Sequence, residues 1–136
     1  MGRRGSDDKE WQDVKKKVEK RDQGRDRMEL ALSLVEYKIL RAEAKQYIKT
    51  IDPAHVIPVS RNYSMCYDED NIISLNRYSH ENLDSYRDPI TGRSITREEV
   101  NKWWVRLLKA CPSQWESFTS KKYDKELQEL KRKMKY

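Results

Sequence analysis

The stretch DPAHVIPVS, Asp52 to Ser60, decides how this chain folds. Pro53 and Pro58 each remove a backbone donor and lock φ, so no helix can run through it. The apolar residues between the prolines are few and mostly β-branched, which suits a short buried strand over about 51–58. Inside that strand stands His55, one of only two histidines in the chain.

Downstream, the polar loop SRNYSMCYDED leads to a second apolar run, NIISLN at 71–76, which reads as another short strand. RYSHENLDSY, 77–86, reads as a helix of two to three turns, and DPITG at 88–92 as a turn. Upstream, DDKEWQDVKKKVEKRD at 7–22 is acidic first and basic later, as the helix dipole favours, with Trp11, Val14 and Val18 on one face. Gln23-Gly24 ends that helix. RDRMEL leads on to Ser33-Leu34-Val35-Glu36, a capping-box pattern that predicts a helix from 34 to 48 with Tyr37, Leu40, Ala44 and Tyr47 or Ile48 buried. Thr96-Arg97-Glu98-Glu99 caps a further helix to about 110, carrying Val100, Trp103, Trp104 and Leu107, and Pro112 breaks it. A last helix is expected from Ser120 through KELQELKRKMKY.

These elements fit one domain over 1–136: a helical region to 50, a core at 51–92 and C-terminal helices from 93. Of the 136 residues 36% are hydrophobic and 38% charged, so the core is small and the helices are largely solvated. Lysine and arginine number 29 against 23 acidic residues, a net charge of +6. That balance points to a polyanionic partner, nucleic acid ahead of an anionic membrane surface. No apolar run approaches the ~18–20 residues that span a bilayer, so no membrane segment is expected. Cys66 and Cys111 stand apart with no C-x-x-C pair, which excludes a zinc knuckle and a disulfide framework and fits a reduced, intracellular (cytoplasmic) protein.

The middle third therefore reads strand, loop, strand, helix. His55 stands on the first strand, Asn71 at the start of the second, and His80 on the helix with Asp84 one turn later. His80 and Asp84 share a helix face and can share a divalent cation. His55, opposite them on the strand, can take a proton from a water. Singly, each has a plainer reading: a core histidine, a solvated helix face, a turn asparagine.

Together, His55…Asn71…His80, spaced 16 (55 to 71) and nine (71 to 80) positions apart, resemble the His-Asn-His (HNH) signature of ββα-metal endonucleases. AHVIP is similar to the family's first-strand block, DNIISLNRYSHENLD to its second strand and metal-binding helix, and WQDVKKKVEKRD to the helix that often precedes the motif. The resemblance implies an α+β fold, a small ββα-metal (His-Me finger) core flanked by N- and C-terminal α-helices. It implies metal-dependent hydrolysis of DNA, with His55 as general base and Asn71 pinning the loop and strand that orient it. His80 would be a metal ligand, and Asp84 would stand where many members have a second histidine.

The cofactor implied is one divalent ion, Mg²⁺ or Mn²⁺ first, with Zn²⁺ or Ni²⁺ as alternatives. The paired cysteines with which many members bind a structural zinc are missing here. Ala54 occupies the place of a frequent further ligand before the base, which leaves Asp52, on the same strand face, to reach the ion directly or through water. Lys15, Lys16 and Lys17, with Lys131, Arg132 and Lys133, would grip phosphates, and Arg61, Arg77, Arg87 and Arg93 lie near the motif. Zinc-free members of this size are common in phages and mobile elements. A monomer and a homodimer fit equally well. The rival readings are a degenerate, non-catalytic DNA-binding module and an accessory protein that works through its charged helices.

Overall fold

The computed structural model describes residues 8–58 and 65–120. The fold is α+β and mostly helical, built around one two-stranded antiparallel sheet. Helix α1, Lys9–Asp22, starts at Asp8, whose carboxylate accepts from the Glu10 and Trp11 amides, and ends on Lys20 and Arg21. Gln23 and Gly24 then take positive φ, 57° and 67°, and turn the chain back. RDRMEL, expected only as a lead-in, forms a short helix of its own, α2 (Arg27–Ala31), because the buried Asp26 caps Met28.

Helix α3, Leu34–Ala44, opens on the full Ser33/Glu36 capping box. It stops at Ala44, short of the expected 48, and tightens into a 3₁₀ turn over Lys45–Lys49, with Lys45 at φ 56°. The change of period turns Tyr47 outward, 54% exposed, while Ile48 packs against the core.

Strand β1 is Ile51–His55 and β2 is Ile72–Asn76, paired from Ile51 opposite Asn76 to His55 opposite Ile72. The extended segment ends at His55 rather than 58, because the chain bends at Val56 and Ile57. Asn71 lies in a 3₁₀ turn, Glu69–Asn71, that leads into β2. Helix α4, Arg77–Asp84, begins at its cap Asn76 and ends before the expected 86, since Tyr86 takes φ 57°. Helix α5, Arg97–Lys109, carries the Thr96/Glu99 capping box. Pro112 then opens α6, Pro112–Ser120, which the sequence reading did not contain: proline fits the first turn of a helix, and Gln114 and Phe118 are buried. The helix expected beyond Ser120 lies outside the described residues.

The pleat gives the sheet two covered faces. Ala54, Ile73 and Leu75 join Leu40, Leu83, Trp104, Leu107 and Phe118 in the main core. Ile72 packs with Val14, Val18, Trp11 and Tyr67 on the α1 side. Every residue of β2 is buried for that reason. Polar bonds tie the helices to the strands: Asp22 accepts from the Ser74 amide, and Arg21 donates to the carbonyls of Glu69 and Ile72.

Candidate functional site

His55 closes β1, half-buried, at the point where the chain leaves the sheet. Its Nε2 lies 3.0 Å from the Cys66 carbonyl oxygen. A carbonyl only accepts, so Nε2 carries a proton and donates it to that contact. The ring stacks on Trp11 of α1, centroids 5.5 Å apart and planes 18° from parallel. His55 thus turns toward α1, whereas Asp52, on the other face of the pleat, turns toward α4. The face-to-face placement of His55 and His80 that the sequence suggested is replaced by one histidine on each side of β1.

Asn71 is fully buried. Its Oδ1 accepts from the Ile57 amide at 2.8 Å, and its Nδ2 donates to the Ile57 and Met65 carbonyls at 3.1 and 3.4 Å. The Val56 amide donates to the Asn71 carbonyl at 2.9 Å. One side chain therefore fastens both ends of the loop that follows His55, including the segment whose carbonyl meets the imidazole.

His80 stands between two carboxylates: Nδ1 is 3.0 Å from Asp52 Oδ2, and Nε2 is 3.2 Å from Asp84 Oδ2. Burial works against the charged ring, but the bonds to Asp84 and Asp52 outweigh it and hold the imidazole above its ordinary pKa. Asp52 is also gripped by Arg77, Nε to Oδ2 at 3.2 Å and Nη2 to Oδ1 at 2.9 Å. Burial would raise the Asp52 carboxyl; the guanidinium and the imidazole together lower it.

The donor geometry bears on whether an ion fits. Two ligands about 2.1 Å from an octahedral cation and at right angles are about 3.0 Å apart, close to the 3.2 Å between His80 Nε2 and Asp84 Oδ2. Nδ1–H would then go to Asp52, the carboxylate–histidine–metal order that fixes a ligand ring. Among the described residues, no group of three or more His, Cys, Asp and Glu side chains is arranged to hold an ion. The physical reason is that His80 sits between its two acids and can turn only one nitrogen to a single ion. An ion there would have only two protein ligands, with water completing its shell and Asp52 bonded to the far nitrogen of His80.

Of the predicted cations, Lys15 lines a groove between α1 and β1 with Val18, Ile51 and Ser74, and Lys16 and Lys17 are exposed. Arg87 and Arg93 are exposed on the turn after α4, while Arg77 is taken up by Asp52. Arg61, Lys131, Arg132 and Lys133 lie outside the described residues. Sequence reasoning missed the stacking of Trp11 on His55 and the Arg77 grip on Asp52. It also missed Asp22 and Arg21 as anchors of β2; the Trp at the start of an otherwise polar helix was the only available signal. Among the described residues no helix is long and apolar enough to cross a membrane. Comparison with protein-family models, curated proteins and solved structures finds no match for this chain.

Proposed function

We propose that the chain is a metal-dependent endonuclease of the His-Asn-His type, hydrolysing DNA phosphodiester bonds by direct attack of water. One observation carries the reading: the strand–loop–strand–helix segment sets His55 on the Cys66 carbonyl, Asn71 behind it, and His80 between Asp52 and Asp84. His55 Nδ1 takes the proton as the water oxygen bonds to phosphorus and the bond to the 3′ oxygen breaks, giving a 5′ phosphate and a 3′ hydroxyl. Asn71 keeps the base aimed by holding the loop that carries its carbonyl partner. His80 Nε2 and Asp84 would hold the divalent ion, with Asp52 orienting His80 and Arg77 orienting Asp52. When bound, the ion supplies positive charge against the phosphate and the departing oxygen. Exposed Lys16, Lys17, Arg87 and Arg93 supply phosphate contacts without reading sequence.

The second reading, a DNA-binding module without activity, draws on Ala54, fully buried in the core at the position where relatives of this motif often carry a further ligand. Nicking of supercoiled plasmid with Mg²⁺ or Mn²⁺ separates the two. The wild type should nick, and His55→Ala should lose about 10²–10⁴-fold in rate with DNA affinity little changed. Equal rates in mutant and wild type would reject His55 as the base. DNA binding without cleavage in any metal would favour the second reading.

A further inference from the structure

Helix α3 turns Leu40 and Ala44 to the core and leaves an apolar stripe on its outer side. Val35 is 68% and Ile39 47% exposed, and Ala42 continues the row at helical spacing. Leu34, beside Val35, and Leu30 on α2 are also exposed. Single exposed apolar residues are ordinary on a protein surface, but Val35, Ile39 and Ala42 form a continuous row of the kind that packs against another helix.

The charges beside the row are segregated. Lys38 stands on one edge; Glu36 and Glu43 follow the other, and Glu36 is already held by Arg106 of α5. This arrangement selects both a partner and an orientation. In an antiparallel pairing of two such helices each edge meets its own kind, which sets Glu36 of each chain against Glu43 of the other. In a parallel pairing a residue on one edge meets the residue five positions on in the partner, which brings Lys38 of each chain to Glu43 of the other.

We infer that the outer face of α3 is a self-association surface, occupied by α3 of a second copy in parallel orientation about a two-fold axis. The stripe is self-complementary, as a two-fold contact requires, and its edges match only in that orientation. The helix has 11 residues, about 16 Å, less than the ~800 Å² per partner of a standard interface needs. The dimer is accordingly weak, with Kd on the order of tens of micromolar.

The test is sedimentation equilibrium of the full chain over roughly a thousandfold concentration range, beside four variants whose folding is checked by circular dichroism. These four are Ile39→Asp, Lys38→Glu, Glu43→Lys and the double reversal. The substitutions lie on an exposed face, so the fold is expected to survive them. The wild type should pass from monomer to dimer with rising concentration, and Ile39→Asp should stay monomeric. Either single reversal should weaken the dimer about tenfold, since attraction becomes repulsion at both symmetric contacts, and the double reversal should restore it. A monomeric wild type at every concentration would overturn the inference, as would a dimer indifferent to Ile39→Asp. A dimer strengthened by Glu43→Lys, which would set lysine against Glu36, would show the antiparallel pairing and overturn the orientation. Dimerisation that appears only after removal of residues 121–136 would make the chain's own C-terminal segment the occupant instead.

Discussion

Replacing Asp22 by Asn should expose how much of the fold hangs on one carboxylate. Asp22 is 8% exposed and accepts from Arg21 Nε and Nη2 at 2.9 and 2.8 Å, from Arg27 Nη2 at 2.7 Å and from the Ser74 amide at 3.0 Å. Arg27, 1% exposed, also donates to the Leu107 carbonyl, so α1, β2, α2 and α5 meet at this point. Burial alone would raise the Asp22 carboxyl, but Arg21 and Arg27 hold it down from 3.8 to about 2. That depression corresponds to about 2 kcal/mol of stability at neutral pH. Its sign follows from the direction: a lowered carboxyl stabilises fully above the unfolded value of 3.8, and the contribution disappears as pH falls toward about 2. Asn keeps the shape but leaves Arg27 buried without its countercharge, a change that costs about 3–5 kcal/mol in buried pairs. Urea unfolding followed by circular dichroism should show a loss of about 3 kcal/mol at pH 7, a large share of a domain's stability. Between pH 5 and 2 the gap between variant and wild type should close. Parallel stability curves across that range, or a loss below about 1 kcal/mol at pH 7, would refute the assignment of Asp22 as the charged hub.

The proposed ion site predicts an order among His80, Asp84 and Asp52 under calorimetric titration with Mg²⁺ and Mn²⁺. His80→Ala should abolish binding, Asp84→Ala should weaken it strongly, and Asp52→Ala should cost about 10–100-fold as the outer partner of His80. If Asp84→Ala binds like wild type while Asp52→Ala does not, the ion sits on the other nitrogen of His80. Ala54→Asp, which would add the acidic residue that relatives of the motif often carry, should lower stability by several kcal/mol, because Ala54 is fully buried beside Ile73. Thermal melting checks this; an unchanged midpoint would mean that the side chain reaches water or an ion.

Much of the fold was legible because its signals are local. The Ser33/Glu36 and Thr96/Glu99 capping boxes, the Gln23-Gly24 turn and the two prolines around His55 act through backbone groups a few residues away, and the first three appear where the sequence puts them. The composition of NIISLN likewise announced a short strand, and β2 forms there over Ile72–Asn76. The relation of His80 to Asp84 is helical spacing and needs nothing beyond the helix.

What tertiary structure decided is every contact between groups far apart in the chain. Strand alternation put Asp52 on the face of Ala54, but only the packing of α4 on the sheet set it against His80 and Arg77. The stacking of His55 on Trp11 depends on α1 lying along the sheet, which no local spacing encodes. Helix α6 survives its opening proline because Gln114 reaches the Asp70 and Ile72 carbonyls and Phe118 enters the core. Asp22 and Asp26 are both buried near the strands, yet the carboxyl of Asp22 is lowered by two guanidinium partners while that of Asp26, bonded by neutral groups of Asn76 and Met28, is raised by burial. A residue type and its neighbours fix backbone preference and periodicity; the field at a buried charge is summed over groups that only folding brings together.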